Sequence, residues 1–191
     1  RFSPVRMGDF VGATKLGGAV NFMNIQLNPH GNGTHTECVG HISKEDFYVN
    51  ECFNEFYSMA ELISVYPNLN EEGDKVIERF HIESMILFPN EIKSLVIRTL
   101  PNDIDKKERN YSGSNPTYIC PEAMEYIYSL GIKHLYVDMP SVDREEDGGK
   151  LSCHKIFWNY PEEPRMDCTI TELIYVPNEV KDGLYLIANQ I

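Results

Sequence analysis

Three of the six histidines lie within twelve consecutive residues, among glycines, threonines and a glutamate. The segment runs from Asn28 to His41 and reads NPHGNGTHTECVGH. Alternate side chains of an extended backbone share a face, so His35, Glu37 and His41 have the same strand parity. Imidazole and carboxylate together form a good ligand set for Zn²⁺ or Mn²⁺. The spacing fits equally a polar loop whose histidines only bond the backbone.

A second group of polar residues follows a predicted strand in the last third of the chain. Asp138 and Asp143 enclose the segment DMPSVD, and His154 and Glu172 come later. Either of the latter two also has an ordinary structural explanation, as a buried imidazole or a carboxylate at a strand end. One of the two aspartates is expected to serve only the turn after the strand. This group alone predicts little chemistry.

The residues from Gly33 to His41 resemble the HxGTHxDxPxH signature of the cyclase family, which includes bacterial kynurenine formamidases and isatin hydrolases. The later order DxPSxD, then His154, then Glu172 resembles the same family, and the similarity runs from about residue 21 to 186. The resemblance implies a swivelling β/β/α fold and one or two Zn²⁺ or Mn²⁺ ions. It also implies hydrolysis of small amides by a homodimer or larger homo-oligomer.

The resemblance also implies roles for individual residues. Carried over by position, it implies four metal ligands: His35, Glu37, His154 and Glu172. His41 matches the histidine that the family places beside the scissile amide, which makes it the candidate catalytic residue. Three further side chains are candidates for an additional metal contact or for orienting a ligand imidazole: His30, Asp138 and Asp143.

The chain departs from the family signature at three positions. The leading histidine falls on Gly31, which has no side chain, so we expect one ion or a weakly bound second one. His30 has the opposite strand parity, and only a bulge would bring it back to the ligand face. The family proline falls on Val39. Glu37 replaces an aspartate, and its additional methylene requires the metal or the backbone to shift.

These residues predict a metal-dependent hydrolase of a small amide or lactam, similar to an arylformamidase. A metal ion lowers the pKa of water to about 7, and a nearby imidazole such as His41 can transfer protons. Two alternatives stay open. The first is a lyase or ring-closing enzyme on the same metal scaffold, and the second is a small-ligand-binding protein that has lost catalysis with the leading histidine.

Hydrophobic periodicity predicts mixed α and β structure in one α/β domain spanning residues 1–191. Helices are predicted over residues 44–66 and over Pro121–Leu130, where proline and Glu122 suit the first turn and Gly131 the end. Strands are predicted at Met23–Leu27, Met85–Phe88, Leu95–Leu100, Ile132–Val137, Leu173–Val176 and Leu184–Ala188.

Composition limits the partners and the compartment. The net charge of −12 argues against nucleic acid, which requires a basic surface, and no apolar run approaches the ~18 residues of a membrane helix. Five cysteines without a CxxC pair favour reduced, mostly buried thiols and a cytoplasmic protein. The partner that the family resemblance implies is a small-molecule substrate. The sequence starts at Arg1, so we expect a longer chain, with which a removed signal peptide is compatible.

Overall fold

The computed structural model describes residues 1–31 and 33–190, in two compact units that meet between Gly33 and Thr34 in the sequence. The first unit holds strands β1 (Phe2–Pro4), β2 (Arg6–Met7), β3 (Phe10–Val11) and β4 (Met23–Ile25), with a 3-10 turn at Thr14–Leu16. Strand β1 pairs antiparallel with β4, and β2 with β3. The strand predicted from Met23 is confirmed over its first three residues. The organisation as a single domain stays a prediction.

The second unit contains nine strands and four α-helices among its described residues. The strands are β5 (His35–Glu37), β6 (Tyr57–Val65), β7 (Asn68–Leu69), β8 (Lys75–Ile77), β9 (Ser94–Thr99), β10 (Tyr118–Ile119), β11 (His134–Val137), β12 (Thr169–Glu172) and β13 (Gly183–Ala188). The helices are α1 (Val49–Cys52), α2 (Arg79–Met85), α3 (Pro121–Ser129) and α4 (Ser152–Trp158), with 3-10 turns at Val39–His41 and Ile104–Lys107. The mixed α and β class is confirmed.

A six-stranded sheet in the order β13-β6-β9-β11-β12-β5 forms the centre of this unit. Its four inner strands are parallel, and the two outer strands run antiparallel to their neighbours. All residues of β9 and β11 are buried, as expected for parallel strands covered on both faces. A smaller sheet has the order β10-β8-β7.

The main hydrophobic core lies on one face of the large sheet. It joins Ile63, Ile97 and Leu135 of the central strands to Met124 of α3 and Phe157 of α4. A smaller cluster covers the opposite face with Ala60, Leu62, Val96 and Tyr136. The first of these faces is the one that carries the polar site described below.

Helix α3 agrees closely with the sequence prediction. Pro121 lies in its first turn, and Ala123, Met124 and Ile127 are buried on one side. Gly131 follows the helix in the left-handed conformation, with φ of +71°, which favours glycine. The predicted strands starting at Leu95, Ile132 and Leu184 are also confirmed, as β9, β11 and β13, with ends that shift by one or two residues.

The helix predicted over residues 44–66 is wrong. Only Val49–Cys52 is α-helical, and Tyr57–Val65 is a nine-residue strand. This strand pairs with β9 on one side and β13 on the other, and it is buried on both faces over most of its length. A strand that is buried on both faces lacks the alternation of apolar and polar residues that identifies a strand in sequence. The apolar residues of this segment therefore fitted helical spacing as well.

Two further predicted strands are wrong for local reasons. Met85 ends α2, and the carboxylate of Glu61 accepts the amide protons of Leu87 and Phe88, which keeps them out of a ladder. No strand forms at the predicted Leu173–Val176. The observed strand β12 precedes it and ends at Glu172. Leu173 has a φ of +54°, and this left-handed residue ends the regular strand geometry of β12.

All five cysteines are free thiols and four are buried, as the sequence predicted. No helix within residues 1–31 and 33–190 is long and apolar enough to cross a membrane.

Candidate metal site

The site is built at the edge of the large sheet, where β5 pairs antiparallel with β12. Glu172 lies opposite His35, and Ile170 lies opposite Glu37. Residues directly opposite one another share a face, so both carboxylates and the imidazole lie on the side of the main core. On the other face, the Oγ1 atoms of Thr36 and Thr171 are 2.9 Å apart. The predicted common face of His35 and Glu37 is therefore confirmed.

Three buried side chains bring their polar atoms to one point. His35, Glu37 and Glu172 are 8%, 4% and 4% exposed. One ligand atom from each lies within 4.8 Å of the other two, and His35 Nε2 is 3.5 Å from Glu172 Oε2. A buried set of one imidazole and two carboxylates can hold a divalent transition metal.

Helix α4 brings His154 to the same carboxylates from another part of the chain. Its Nε2 atom lies 3.0 Å from Glu37 Oε1 and 3.8 Å from Glu172 Oε1. The ring of Trp158, one helical turn later, lies 5.5 Å from the His154 ring between centroids. Both side chains are almost fully buried, so His154 has a fixed place in the core.

Asp143 fixes the orientation of His154 through three contacts. Its Oδ1 accepts the amide proton of Cys153 at 2.8 Å, and its Oδ2 accepts that of His154 at 3.2 Å. The same Oδ2 lies 2.5 Å from His154 Nδ1. The carboxylate thus satisfies two amides in the first turn of α4 and directs Nε2 towards the other two carboxylates.

The electrostatics of the site reflect crowded, buried acids. Burial and the charge of Glu37 raise the pKa of Glu172 above its ordinary value. Burial disfavours a charged His154, but hydrogen bonds to Asp143 and Glu37 outweigh it and raise the pKa of the ring to about 10. Burial works against ionised Asp143 as well, yet the bonds from His154 and from the Cys153 amide keep its pKa low. The raised pKa values mean that His154 and Glu172 favour their protonated forms here. A bound cation could compensate the same negative charge in place of those protons.

His41 reaches the site from a different element than strand parity suggested. It ends the 3-10 turn Val39–His41, so the straight alternation assumed for it is wrong. Its Nδ1 nevertheless lies 3.4 Å from Glu37 Oε2, and its side chain is 33% exposed. Gly40 allows this turn to pack closely against the backbone of Phe47. A Cβ added at residue 40 would lie only 2.1 Å from the carbonyl oxygen of Phe47. His41 is the exposed member of the cluster.

Asp138, another predicted side chain, has a structural role in the large sheet. Asp138 is buried, accepts bonds from the amide and hydroxyl of Thr99, and pairs with Lys106 Nζ at 2.7 Å. It therefore holds the ends of β9 and β11 together. His30 lies in an exposed turn of the first unit.

A family model supplies the identification. The Cyclase model matches residues 3–144, about three quarters of the chain. The chain belongs to the cyclase family. Its signature segment, the DxPSxD segment and Asp143 all fall within the matched residues, whereas His154 and Glu172 follow them.

Similar proteins carry related descriptions. A kynurenine formamidase of Bacillus thuringiensis (strain Al Hakam) is 26% identical over 140 residues, which are 73% of this chain and 61% of that protein. A kynurenine formamidase of Bacillus anthracis is 25% identical over 140 residues, with the same coverage of both chains. The chain thus spans about three fifths of the length of these relatives.

Solved structures share the fold. Isatin hydrolase A from Labrenzia aggregata, bound to benzyl benzoate, has a TM-score of 0.60 and 16% identity, over 100% of this chain and 76% of that one. A structure described as a potential metal-dependent hydrolase with cyclase activity has a TM-score of 0.62 and 15% identity, over 85% and 71%. At these identities, the comparison supports the fold.

The sequence analysis did not identify two contacts that the structure shows at this site. Trp158 packs on His154, and its position four residues later on an apolar helix face was a readable signal. The amide of Val142 donates to Glu172 Oε1 at 3.2 Å. A backbone contact of this kind leaves no trace in residue identity.

Proposed function

We propose that this cyclase-family chain is a metal-dependent hydrolase of a small amide or lactam, similar to an arylformamidase. The observation that carries the proposal is the buried set of His35, Glu37 and Glu172, with His154 directed into it. Packing two carboxylates in a core is unfavourable unless a positive charge accompanies them. The raised pKa of Glu172 is the electrostatic sign of that cost.

In this proposal, His35, Glu37, His154 and Glu172 hold one Zn²⁺ or Mn²⁺ ion. When bound, the ion supplies a Lewis acid that acidifies water and polarises a carbonyl group. Asp143 keeps the Nδ1 proton of His154 in place, so that Nε2 presents its lone pair to the metal. We further propose that Gly31 leaves the site mononuclear, or with a weak second ion, because it offers no imidazole.

His41 performs proton transfer in the proposed reaction. It is the exposed member of the cluster and lies 3.4 Å from a buried carboxylate, so it can meet a substrate that enters from solvent. An imidazole can exchange protons near neutral pH. His41 takes a proton from the attacking water and returns one to the leaving nitrogen as the C–N bond breaks.

The substrate class rests on the relatives. The similar curated proteins are kynurenine formamidases, and one structural neighbour is an isatin hydrolase. We therefore propose N-formyl or N-acyl aromatic amines and isatin-like lactams as substrates. Hydrolysis of either releases a carboxylate, whereas the alternative lyase or cyclase reaction would yield a dehydrated or ring-closed product.

The test combines metal analysis with product analysis. Elemental analysis of protein purified without chelator should find about one Zn²⁺ or Mn²⁺ per chain, and a His35→Ala, His154→Ala double variant should lose it. His134→Gln is the matched control, because His134 is equally buried but bonds Thr169 at the opposite ends of β11 and β12. Wild type with only trace metal, or equal metal in the double variant, would refute the ligand assignment.

Activity is then measured on the metal-loaded protein. Carboxylate released from a formamide or lactam supports the hydrolase, and a dehydrated or ring-closed product supports the lyase alternative. A metal-loaded protein that binds these compounds but converts none of them would support the ligand-binding alternative.

A further inference from the structure

A cavity lies at the end of the large sheet where β11 and β12 begin, whereas the candidate metal site uses the last residue of β12. Its volume is about 370 Å³, within the range of about 300–1,000 Å³ that small-molecule sites occupy. Five side chains line it: Asn54, Glu55, Lys133, His134 and Asp167. None of these belongs to the candidate metal site.

The imidazole of His134 is the buried wall of this cavity, and one of its nitrogens lacks a partner. The residue is 1% exposed, and its Nδ1 lies 2.9 Å from Thr169 Oγ1. Its Nε2 has no hydrogen-bond partner among the residues that the structure describes. Burial lowers the pKa of the ring, so the ring is neutral at pH 7. A buried polar atom without a partner is unfavourable, and a ligand that bonds it removes that cost.

The charges around the cavity favour a cation. Two lining carboxylates, of Glu55 and Asp167, face the single ammonium of Lys133. Glu55 pairs with Lys93 Nζ at 2.7 Å, and Asp167 pairs with Lys133, but these four side chains are between 37% and 53% exposed. Ion pairs this exposed contribute little to stability, so a cationic ligand can replace either lysine. The net charge of −12 attracts cations to the protein as a whole.

Aromatic rings continue from the cavity wall towards the surface. The Phe53 ring lies 5.3 Å from the His134 ring between centroids, and the Phe56 ring lies 5.2 Å from that of Phe53. Phe56 is 57% exposed and follows the lining residue Glu55 in the sequence. The face of an aromatic ring attracts organic cations. A ligand with a positive group and a short apolar body matches both features.

We propose that this cavity binds a small organic molecule that carries a primary ammonium group. The ammonium donates a hydrogen bond to Nε2 of His134, while Glu55 and Asp167 supply its counter-charge. Nδ1 of the same ring donates to Thr169 Oγ1, which leaves the lone pair on Nε2. The apolar part of the ligand packs beside Phe56. Nothing in this arrangement depends on the metal or on the reaction proposed above.

Three ligands of similar shape and different charge test the proposal: benzylammonium, benzyl alcohol and benzoate. Binding to the intact chain, with its metal as purified, is measured by magnetic resonance of isotope-labelled histidine nitrogens at pH 7. Benzylammonium should bind and shift the nitrogen signals of His134. Benzyl alcohol should bind about 10-fold or more weakly, because charge-assisted hydrogen bonds are the stronger ones. Benzoate should not bind, because two carboxylates repel it.

Substitutions of the lining charges place the ligand in this cavity. A Glu55→Gln, Asp167→Asn double variant should weaken benzylammonium binding by about 10-fold or more. Lys133→Gln should strengthen it by about 2- to 5-fold, because the variant removes a competing cation from an exposed ion pair. Glu83→Gln is the matched control, since Glu83 forms an exposed ion pair with Arg79 on α2 and does not line the cavity.

The opposite effects of acidic and basic substitutions separate binding from a change in folding, and circular dichroism checks that each variant is folded. Benzylammonium bound at the metal site would be insensitive to the double variant. Equal binding of benzylammonium by wild type and the double variant would therefore overturn the proposal. Absence of benzylammonium binding, or binding of benzoate with equal affinity, would overturn it as well.

Discussion

Metal binding should release protons from this site, and Asp143 should set how many. Bonds to Asp143 and Glu37 raise the pKa of the His154 ring to about 10, so its charged form predominates at pH 7. A metal binds only neutral imidazole. Loading at pH 7 should therefore release about one proton from His154, and Glu172, whose pKa is also raised, adds to the total.

The perturbation is Asp143→Asn, which keeps an acceptor oxygen but removes the charge that bonds His154 Nδ1. If the pKa of the ring returned to its ordinary value near 6.5, only about a quarter of the rings would be charged at pH 7. Proton release should then fall by about three quarters of a proton per chain. Metal affinity should also fall by about 10- to 100-fold, because the ligand loses its orienting partner.

The assay is calorimetric titration of metal-free protein with Zn²⁺ or Mn²⁺ in buffers of different ionisation enthalpy, where the slope gives the protons released. The sign follows from the raised pKa: affinity grows as pH rises towards 10 and falls as the ring becomes fully protonated. Asp138→Asn is the control, because Asp138 bonds Thr99 and Lys106 instead of His154. Equal proton release in wild type and Asp143→Asn would refute this account of His154.

Three further changes have defined outcomes. His41→Ala should keep its metal, by elemental analysis, but lose about 10²–10⁴-fold in turnover, and loss of the metal would instead make His41 a ligand. Lys106→Met should lower the free energy of unfolding by about 3–5 kcal/mol in urea titration, because it strands the buried charge of Asp138, and an unchanged midpoint would contradict this. Ile97→Ala in the fully buried centre of β9 should cost about 2–5 kcal/mol in the same assay, and a cost below about 1 kcal/mol would mean that the core refills the cavity.

The sequence predicted correctly those elements whose start, apolar face and end are all encoded within one short segment. Helix α3 carries its own start, apolar face and stop between Pro121 and Gly131, so propensity and packing agree. Strand β6 has no such signal. Its identity depends on β9 and β13, which lie far away in the sequence, and burial on both faces erased its alternation.

The site shows the same division. His35 and Glu37 were readable from one segment, because a strand places alternate residues on a common face. The proximity of His154 and Glu172 to them depends on the order of strands in the sheet, which no local pattern contains. Their selection came from the family resemblance. The different roles of Asp138 and Asp143, five residues apart, required the actual hydrogen bonds.

The pairing of β5 with β12 has a consequence for biosynthesis. Glu37 and Glu172 come from opposite ends of the second unit, and His154 enters between them late in the chain. A ribosome must therefore release almost the whole unit before the donor set can close. Nascent chains that stop before residue 154 lack His154 and Glu172, so they contain only the early half of the proposed donor set. Capture of the proposed ion would then follow synthesis of Glu172, so metal supply would act after most of the second unit is made rather than on its early folding.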